Sequence, residues 1–387
     1  MAPLEPWEKV LVNSPDFFES AHGKTPCYIC HEGDPNAADK SVAHIGLITR
    51  PSEESSTYCA PCHADVTANF RGSLHVSLAG YREALDARAG TSNHPEIDEM
   101  FGNHCSSCHT SCGDCHVSQP SSVGGGFIEG HKFNKTPALT RNCTACHGSR
   151  VGNEYLGKNE GLQADVHFRQ GRMSCVDCHN GDQMHMLDTS CVECHDGSQA
   201  PVVDFPNSRY DGPASPACTD CHPNAVTGDD EVVMHDAHGA QFQCQVCHSI
   251  SYTSCDSCHV SISDVTGNPV FQTSGHYLTF AIGKNPLQSY HRPYDYAVLR
   301  HVPIDRESFA FYGEDLLPGF NSLPTWVYAT PHNIQRITPQ NESCASCHAN
   351  AALFLTADKL AEEELEANFP VMLDEVPDPF NQLSTED

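Results

Sequence analysis

Residues 104–116 read HCSSCHTSCGDCH, which puts four cysteines and three histidines into thirteen positions. Zinc knots, iron–sulfur sites and paired disulfides all draw on that kind of ligand density. The remainder of the chain discriminates among them.

The 387-residue chain holds 22 Cys, and every one belongs to a C-x-x-C pair followed at once by His. The eleven motifs are Cys27/Cys30–His31, Cys59/Cys62–His63, Cys105/Cys108–His109, Cys112/Cys115–His116, Cys143/Cys146–His147, Cys175/Cys178–His179, Cys191/Cys194–His195, Cys218/Cys221–His222, Cys244/Cys247–His248, Cys255/Cys258–His259 and Cys344/Cys347–His348. In a helical turn, positions i, i+3 and i+4 share one face. Two sulfurs can then reach the two vinyl groups along one edge of a haem while the imidazole turns to the iron, which is the attachment signature of c-type haem. Zinc sites and disulfides do not require His at the next position. The stretch 104–116 therefore reads as two haem attachment sites back to back.

A haem iron with two strong axial ligands passes electrons, whereas one with an open position binds substrate. The motifs supply eleven proximal histidines out of 25. Fourteen remain as distal ligands: His22, His44, His75, His94, His104, His131, His167, His185, His235, His238, His276, His291, His301 and His332. That supply caps every iron with three to spare, the spares being His94, His291 and one of His235/His238. Methionine ligation is a minor alternative, with seven Met in the chain.

With its eleven motifs the whole chain resembles the multihaem c-type cytochromes that bacteria and archaea use for periplasmic or extracellular electron transfer. The resemblance implies eleven covalently attached haems, assembly outside the cytoplasm, and a periplasmic or extracellular location. The opening MAPLEPWEKVLVNSPDFF shows no basic region followed by an apolar one, so export information is expected to lie outside this numbering. The expected fold is mainly irregular with short α-helices and little β-structure. Hydrophobic residues make up 39% with cysteine included, a lean supply for a core. Haem stacked on haem is expected to fill the interior.

Internal similarity divides the chain further. SAHGKTPCYICHEGD resembles DVHFRQGRMSCVDCHNGD, and YCAPCHADVTANFRGSLH parallels ACTDCHPNAVTGDDEVVMH. HCSSCHTSCGDCHVS parallels QCQVCHSISYTSCDSCHVS, with a longer spacer between the motifs. His22 and His167 precede equivalent motifs, His75 matches His235 or His238, and His131 matches His276. The reading is a first five-motif repeat (1–150), a second repeat with an extra motif at Cys191 (151–259), a cysteine-free insert (260–343), and the last motif with an acidic arm (344–387). Outer-membrane conduit cytochromes with two five-haem halves are similar, but the eleventh motif and the insert depart from them. The insert carries 12 of 31 aromatic residues and reads as a structural subdomain, with a docking surface or substrate pocket as the alternative. The acidic C-terminal stretch reads as a helix ending before Pro370 followed by a solvated tail, or an arm that grips a neighbouring subunit.

A net charge of −29 opposes binding to nucleic acid or anionic membrane surfaces, and no apolar run is long enough to span a bilayer. The expected function is electron relay between redox protein partners or to extracellular acceptors, as a shuttle, a porin-bound conduit or a homopolymeric filament. The rival is a multihaem reductase of nitrogen or sulfur oxyanions with one five-coordinate haem. No C-x-x-C-K motif, the mark of one such family, is present.

Overall fold

The computed structural model describes residues 5–377, apart from 6, 9–10, 13, 91–93, 187–209, 211–215, 228–229, 276 and 349. The motif at Cys191, Cys194 and His195 lies outside the described residues, as do His276 and the end of the acidic arm. The chain is mostly irregular, with short helices and a few small antiparallel strands. The longest described helices are Ala79–Ala89 and Pro95–His104. Among the described residues no helix is long and apolar enough to cross a membrane.

Contacts divide the chain into two compact units, each assembled from three stretches. The first comprises Met1–Tyr81, Cys105–Ser149 and Ser174–Ser215; the second comprises Arg82–His104, Arg150–Met173 and Pro216–Asp387. This division cuts across the repeats, because the segment carrying the Cys175 motif packs with residues of the first repeat.

The first unit has few buried apolar side chains, among them Phe17, Phe70, Leu78 and Val117. Tyr28 and Ile29, between the two cysteines of the first motif, are exposed, and so are Val42, Ile45 and Phe133. The second unit contains the strands: β1 (Ser254–Cys255), β2 (Cys258–Ile262), β3 (Pro269–Thr273), β4 (Tyr277–Leu278), β5 (Phe280–Lys284), β6 (Tyr296–His301) and β7 (Trp326–Tyr328). β1 pairs with β4, β2 with β3, and β5–β6–β7 form an antiparallel sheet with Ile282 opposite Val298 and Leu299 opposite Tyr328. The apolar runs FAIGK and YAVLRH are buried at nearly every position, as expected of strands covered on both faces.

Residues beyond the last motif complete this core. Leu355 N–H donates to the Ile282 carbonyl, Lys284 N–H to Val371 and Leu373 N–H to Leu355. Leu299, Leu355 and Val371, each worth about 1.5–3 kcal/mol relative to exposure, are fully buried in one cluster with Ala281, while Phe354 and Leu373 pack with Ile282 and Val298 in another. The segment through Leu373 is thus docked on the sheet, in place of the solvated tail expected from its acidity. Its apolar positions decide the matter, and most of its carboxylates stay at the surface while Glu364 turns in to His301.

Candidate cofactor-binding sites

Local chemistry shapes the motifs. In the Cys112 motif the Asp114 carboxylate accepts from the Ser111 N–H and hydroxyl, both at 2.9 Å, and closes a capping box. Asp177 does the same for Ser174, and Asp220 accepts from the Ala217 N–H at 3.0 Å. The pattern x-C-x-D-C-H thus carries its own helix start. Bonds from Ser174 hold the Asp177 carboxyl below its usual range. The Cys255 motif departs from the helical turn expected of the spacing. It runs from β1 into β2 through Ser257, whose φ of 49° turns the chain between the two cysteines.

The cysteines of the described motifs differ in exposure. Cys62, Cys178 and Cys221 are exposed, as are Cys27, Cys218, Cys255 and Cys344. The first three sit where the helical turn gives out. The helix Cys175–Cys178 stops at its second cysteine, and the 3₁₀ turn Cys218–Asp220 stops one residue before Cys221. Cys62 lies in the turn that leads into the helix Ala64–Phe70. Their flanks offer little apolar cover, since Pro61, Asp177, Asp220 and Pro223 are themselves exposed. The turn itself survives: the N–H groups of His63, His179 and His222 donate to the carbonyls of Cys59, Cys175 and Cys218 at 2.9, 2.8 and 2.9 Å. The i, i+4 relation between first cysteine and histidine therefore holds in all three, while the second sulfur faces outward.

The cysteines of the described motifs are free. Thiols of different motifs lie within hydrogen-bonding reach: Cys59 with Cys112, Cys108 with Cys146 and Cys143 with Cys175 in the first unit, Cys218 with Cys244 in the second. Burial pushes the Cys115 thiol up to about 12 and that of Cys247 up to about 11. Within the thiol pairs the shift divides, the bonds from Cys59 and Cys175 taking Cys112 and Cys143 down to about 7. Conversion to a thioether removes the ionisable proton altogether. Among the described residues, no three His, Cys, Asp or Glu side chains converge on one point.

What does recur is a pair of imidazoles. In the first unit, ring centres of motif histidines and others stand 6.0 Å apart for His63–His22, 5.8 Å for His31–His131, 6.2 Å for His147–His75 and 6.0 Å for His116–His185. In the second, the distances are 6.1 Å for His222–His167, 6.0 Å for His248–His235 and 5.9 Å for His348–His238. Two imidazoles bonded to one metal ion at about 2 Å each have ring centres roughly 6 Å apart. The angles between ring planes run from 11° to 87°, and rotation about a shared nitrogen–metal–nitrogen axis allows that range. The donor set would therefore fit seven metal ions, each held by two histidines.

The pairing follows the internal repeat. His63–His22 in one half corresponds to His222–His167 in the other. His147–His75 likewise corresponds to His348–His238, which makes His238 the counterpart of His75. His235, with no counterpart in the first half, faces His248.

Burial lowers the pKa of His22, His131 and His238 and takes His75 down to about 4, with the facing ring adding to the effect. Neutral imidazole is the form that binds metal. The outer nitrogens are also engaged. His31 Nδ1 meets the Ile48 carbonyl at 2.7 Å, His116 Nδ1 that of Asn134 at 2.8 Å and His248 Nδ1 that of Gln335 at 3.0 Å. Two histidines use carboxylates instead: His167 Nδ1 meets Asp165 Oδ1 at 2.9 Å, and His235 Nδ1 meets Asp230 Oδ2 at 2.5 Å. The Asp165 bond raises the His167 pKa.

Other described histidines have different surroundings. His44 and His291 are exposed, and His94 Nε2 is buried without a hydrogen-bond partner. His104 Nε2 lies 2.8 Å from the Tyr312 hydroxyl, beside Phe271. The backbone N–H of His332 donates to Glu154 Oε2 at 2.8 Å. His301 donates from Nδ1 to the Val302 carbonyl at 2.7 Å and from Nε2 to Glu364 at 2.6 Å, which occupies both ring nitrogens. Among the described residues, His109 and His259 have no second histidine ring at the paired distance. Sequence reading missed Asp165 and Asp230. An Asp two residues before His167 was visible, but its aim at Nδ1 follows from the helix start at Val166–Arg169.

Compared with protein-family models, with curated proteins and with solved structures, the chain matches none.

Proposed function

We propose that the chain is a multihaem c-type cytochrome of the electron-transfer kind, exported to the periplasm or cell exterior, where it relays electrons between redox partners. The supporting observation is the set of seven histidine pairs, each joining a motif histidine to a second imidazole at 5.8–6.2 Å. The cysteines of each motif would hold the porphyrin and the paired histidines the iron. The bound haems would supply one-electron chemistry. The chain's own residues set spacing, axial ligation and electrostatics. Neighbouring thiols such as Cys59/Cys112 and Cys218/Cys244 bring successive attachment points together within each unit, as a relay requires. His301, with both nitrogens spent, is left out of the ligand set.

The rival reading is an oxyanion reductase, in which one iron would lack a second imidazole and offer a site to a small ligand.

The test is exported protein, assayed for covalent haem by mass and by its pyridine haemochromogen spectrum, then by electron paramagnetic resonance when fully oxidised. Eleven haems with low-spin ferric signals alone support the relay. A high-spin signal near one haem equivalent moves the enzyme reading to first place, and protein without covalent haem sinks both.

A further inference from the structure

Two histidine pairs recur in both halves, and one of them is supported differently in each. His167 and His22 are equivalent, facing His222 and His63 at 6.1 and 6.0 Å. Two residues before His167 stands Asp165; two before His22 stands Ser20. Asp165 is 2% exposed. Its Oδ1 accepts from the His167 N–H at 2.7 Å and from Nδ1 at 2.9 Å, and its Oδ2 accepts from the Ile334 N–H at 2.8 Å. Three donors hold this carboxylate in place. Ser20 turns its hydroxyl away from His22, donating to the Phe17 carbonyl at 2.6 Å and accepting from Gly23 N–H at 3.0 Å.

We propose that Asp165 is a positioning residue that sets the reduction potential of the haem held by His167 and His222 below that of its repeat equivalent at His22 and His63. This rests on the haem reading above. A carboxylate accepting the Nδ1 proton draws that proton off the ring and makes the opposite nitrogen a stronger donor. It also places a full negative charge close to the metal, where burial leaves it weakly screened. Both effects favour the oxidised iron. Asp230, on His235, repeats the arrangement in the same unit.

The halves exchange residues in the test. Asp165→Ser installs the first-half residue and Ser20→Asp the second-half one, each in exported, haem-loaded protein titrated by spectroelectrochemistry. Asp165→Ser is expected to raise one midpoint, and Ser20→Asp to lower another, by about tenfold in the one-electron equilibrium, or about 59 mV. Asp220→Asn is the control. It removes a charge from the motif of His222, and its carboxylate bonds the Ala217 N–H instead of an imidazole. If Asp165→Ser fails to load haem, Ser20→Asp and Asp230→Asn carry the test. Midpoints that stay in place at full haem content overturn the inference, as does an Asp220→Asn shift equal to that of Asp165→Ser. Wild-type protein lacking covalent haem overturns the haem reading itself, a separate result.

Discussion

Removal of the Glu154 carboxylate should destabilise the second unit more than any surface change. Glu154 is 2% exposed and accepts from Arg300 Nη2 at 2.5 Å, from the Tyr252 hydroxyl at 2.5 Å and from the His332 N–H at 2.8 Å. Arg300 is itself 8% exposed, on β6. Burial, with the carboxylate adding to it, pushes the Tyr252 pKa up, so the phenol stays a donor. Glu154→Ala leaves a buried guanidinium without its counter-ion, a loss of about 3–5 kcal/mol. The Phe280 ring, 4.4 Å from the guanidinium carbon, keeps its contact with or without the carboxylate and leaves that difference unchanged. A loss in that range is expected. Because the cost is the orphaned charge, Glu154→Met with Arg300→Met should lose far less than Glu154→Ala alone. The assay is urea unfolding followed by Trp326, which lies on β7, in a Trp7→Phe background. A Glu154→Ala loss below about 1 kcal/mol, or a double variant as unstable as the single one, would refute the reasoning.

Three further outcomes are expected. His238→Ala should convert about one haem in eleven from low-spin to high-spin ferric, with His75→Ala giving the same result as its repeat equivalent; an unchanged resonance spectrum for either removes that pair from the ligand set. The His301–Glu364 bond should tether the C-terminal segment in a pH window. Burial alone would lower the His301 pKa, but Glu364 and Asp256 outweigh it and hold it above 6.5, while the His301 bond outweighs burial and holds Glu364 below 4.5. The raised histidine stabilises fully below 6.5 and is lost as pH climbs through its folded value, and the lowered carboxylate stabilises above 4.5 and is lost as pH falls through its own. Hydrogen exchange over residues 362–373 should therefore be slowest between pH 4.5 and 6.5 once corrected for intrinsic rate, and a flat profile argues against the tether. Gly283→Ala places a methyl group 2.5 Å from the Val371 carbonyl oxygen and 2.3 Å from Leu299 Cδ1. It should cost about 1–3 kcal/mol by thermal melting, whereas Gly267→Ala, with nothing within 4 Å of the added atom, should show only the strain of its φ of 70°.

The motifs were legible because they are local: two thiols and an imidazole within five residues need no tertiary context. How far each sulfur is covered was not, because the exposure of Cys62, Cys178 and Cys221 depends on where a turn ends and on what the fold brings over it. The pairs were hidden too, since His348 and His238, or His116 and His185, meet only after the chain has folded. Composition gave the number of imidazoles and the repeat hinted at equivalence, but His75 matched His235 and His238 equally well on paper. His301 looked like any other candidate, because its two oxygen partners come from Val302 and from Glu364 in the C-terminal segment. The sheet was hidden for a different reason. FAIGK, YAVLRH and VMLDEV are short apolar runs amid aromatics and prolines, and short runs of that kind do not distinguish a covered strand from a packed loop. The acidity of the C-terminal stretch drew attention from Val371 and Leu373, whose burial decides where it goes.

A short stretch beyond β7 supports two pairs of the second unit. Residues 334–335 touch two of them at once. Ile334 N–H donates to the carboxylate that supports His167, while the Gln335 carbonyl accepts from His248 Nδ1. Gln335 is fixed in turn, its amide donating to the Ala164 carbonyl and its Oε1 accepting from Arg169. One short stretch of backbone thereby ties the His167–His222 pair to the His235–His248 pair. Electron transfer depends steeply on separation and little on side-chain chemistry along the way, so a relay gains most from supports shared between neighbouring sites. A support shared in this manner also couples them: a change at Gln335 that frees His248 should disturb His167 too, whereas the carbonyls of Ile48 and Asn134 each serve one ring and should act singly.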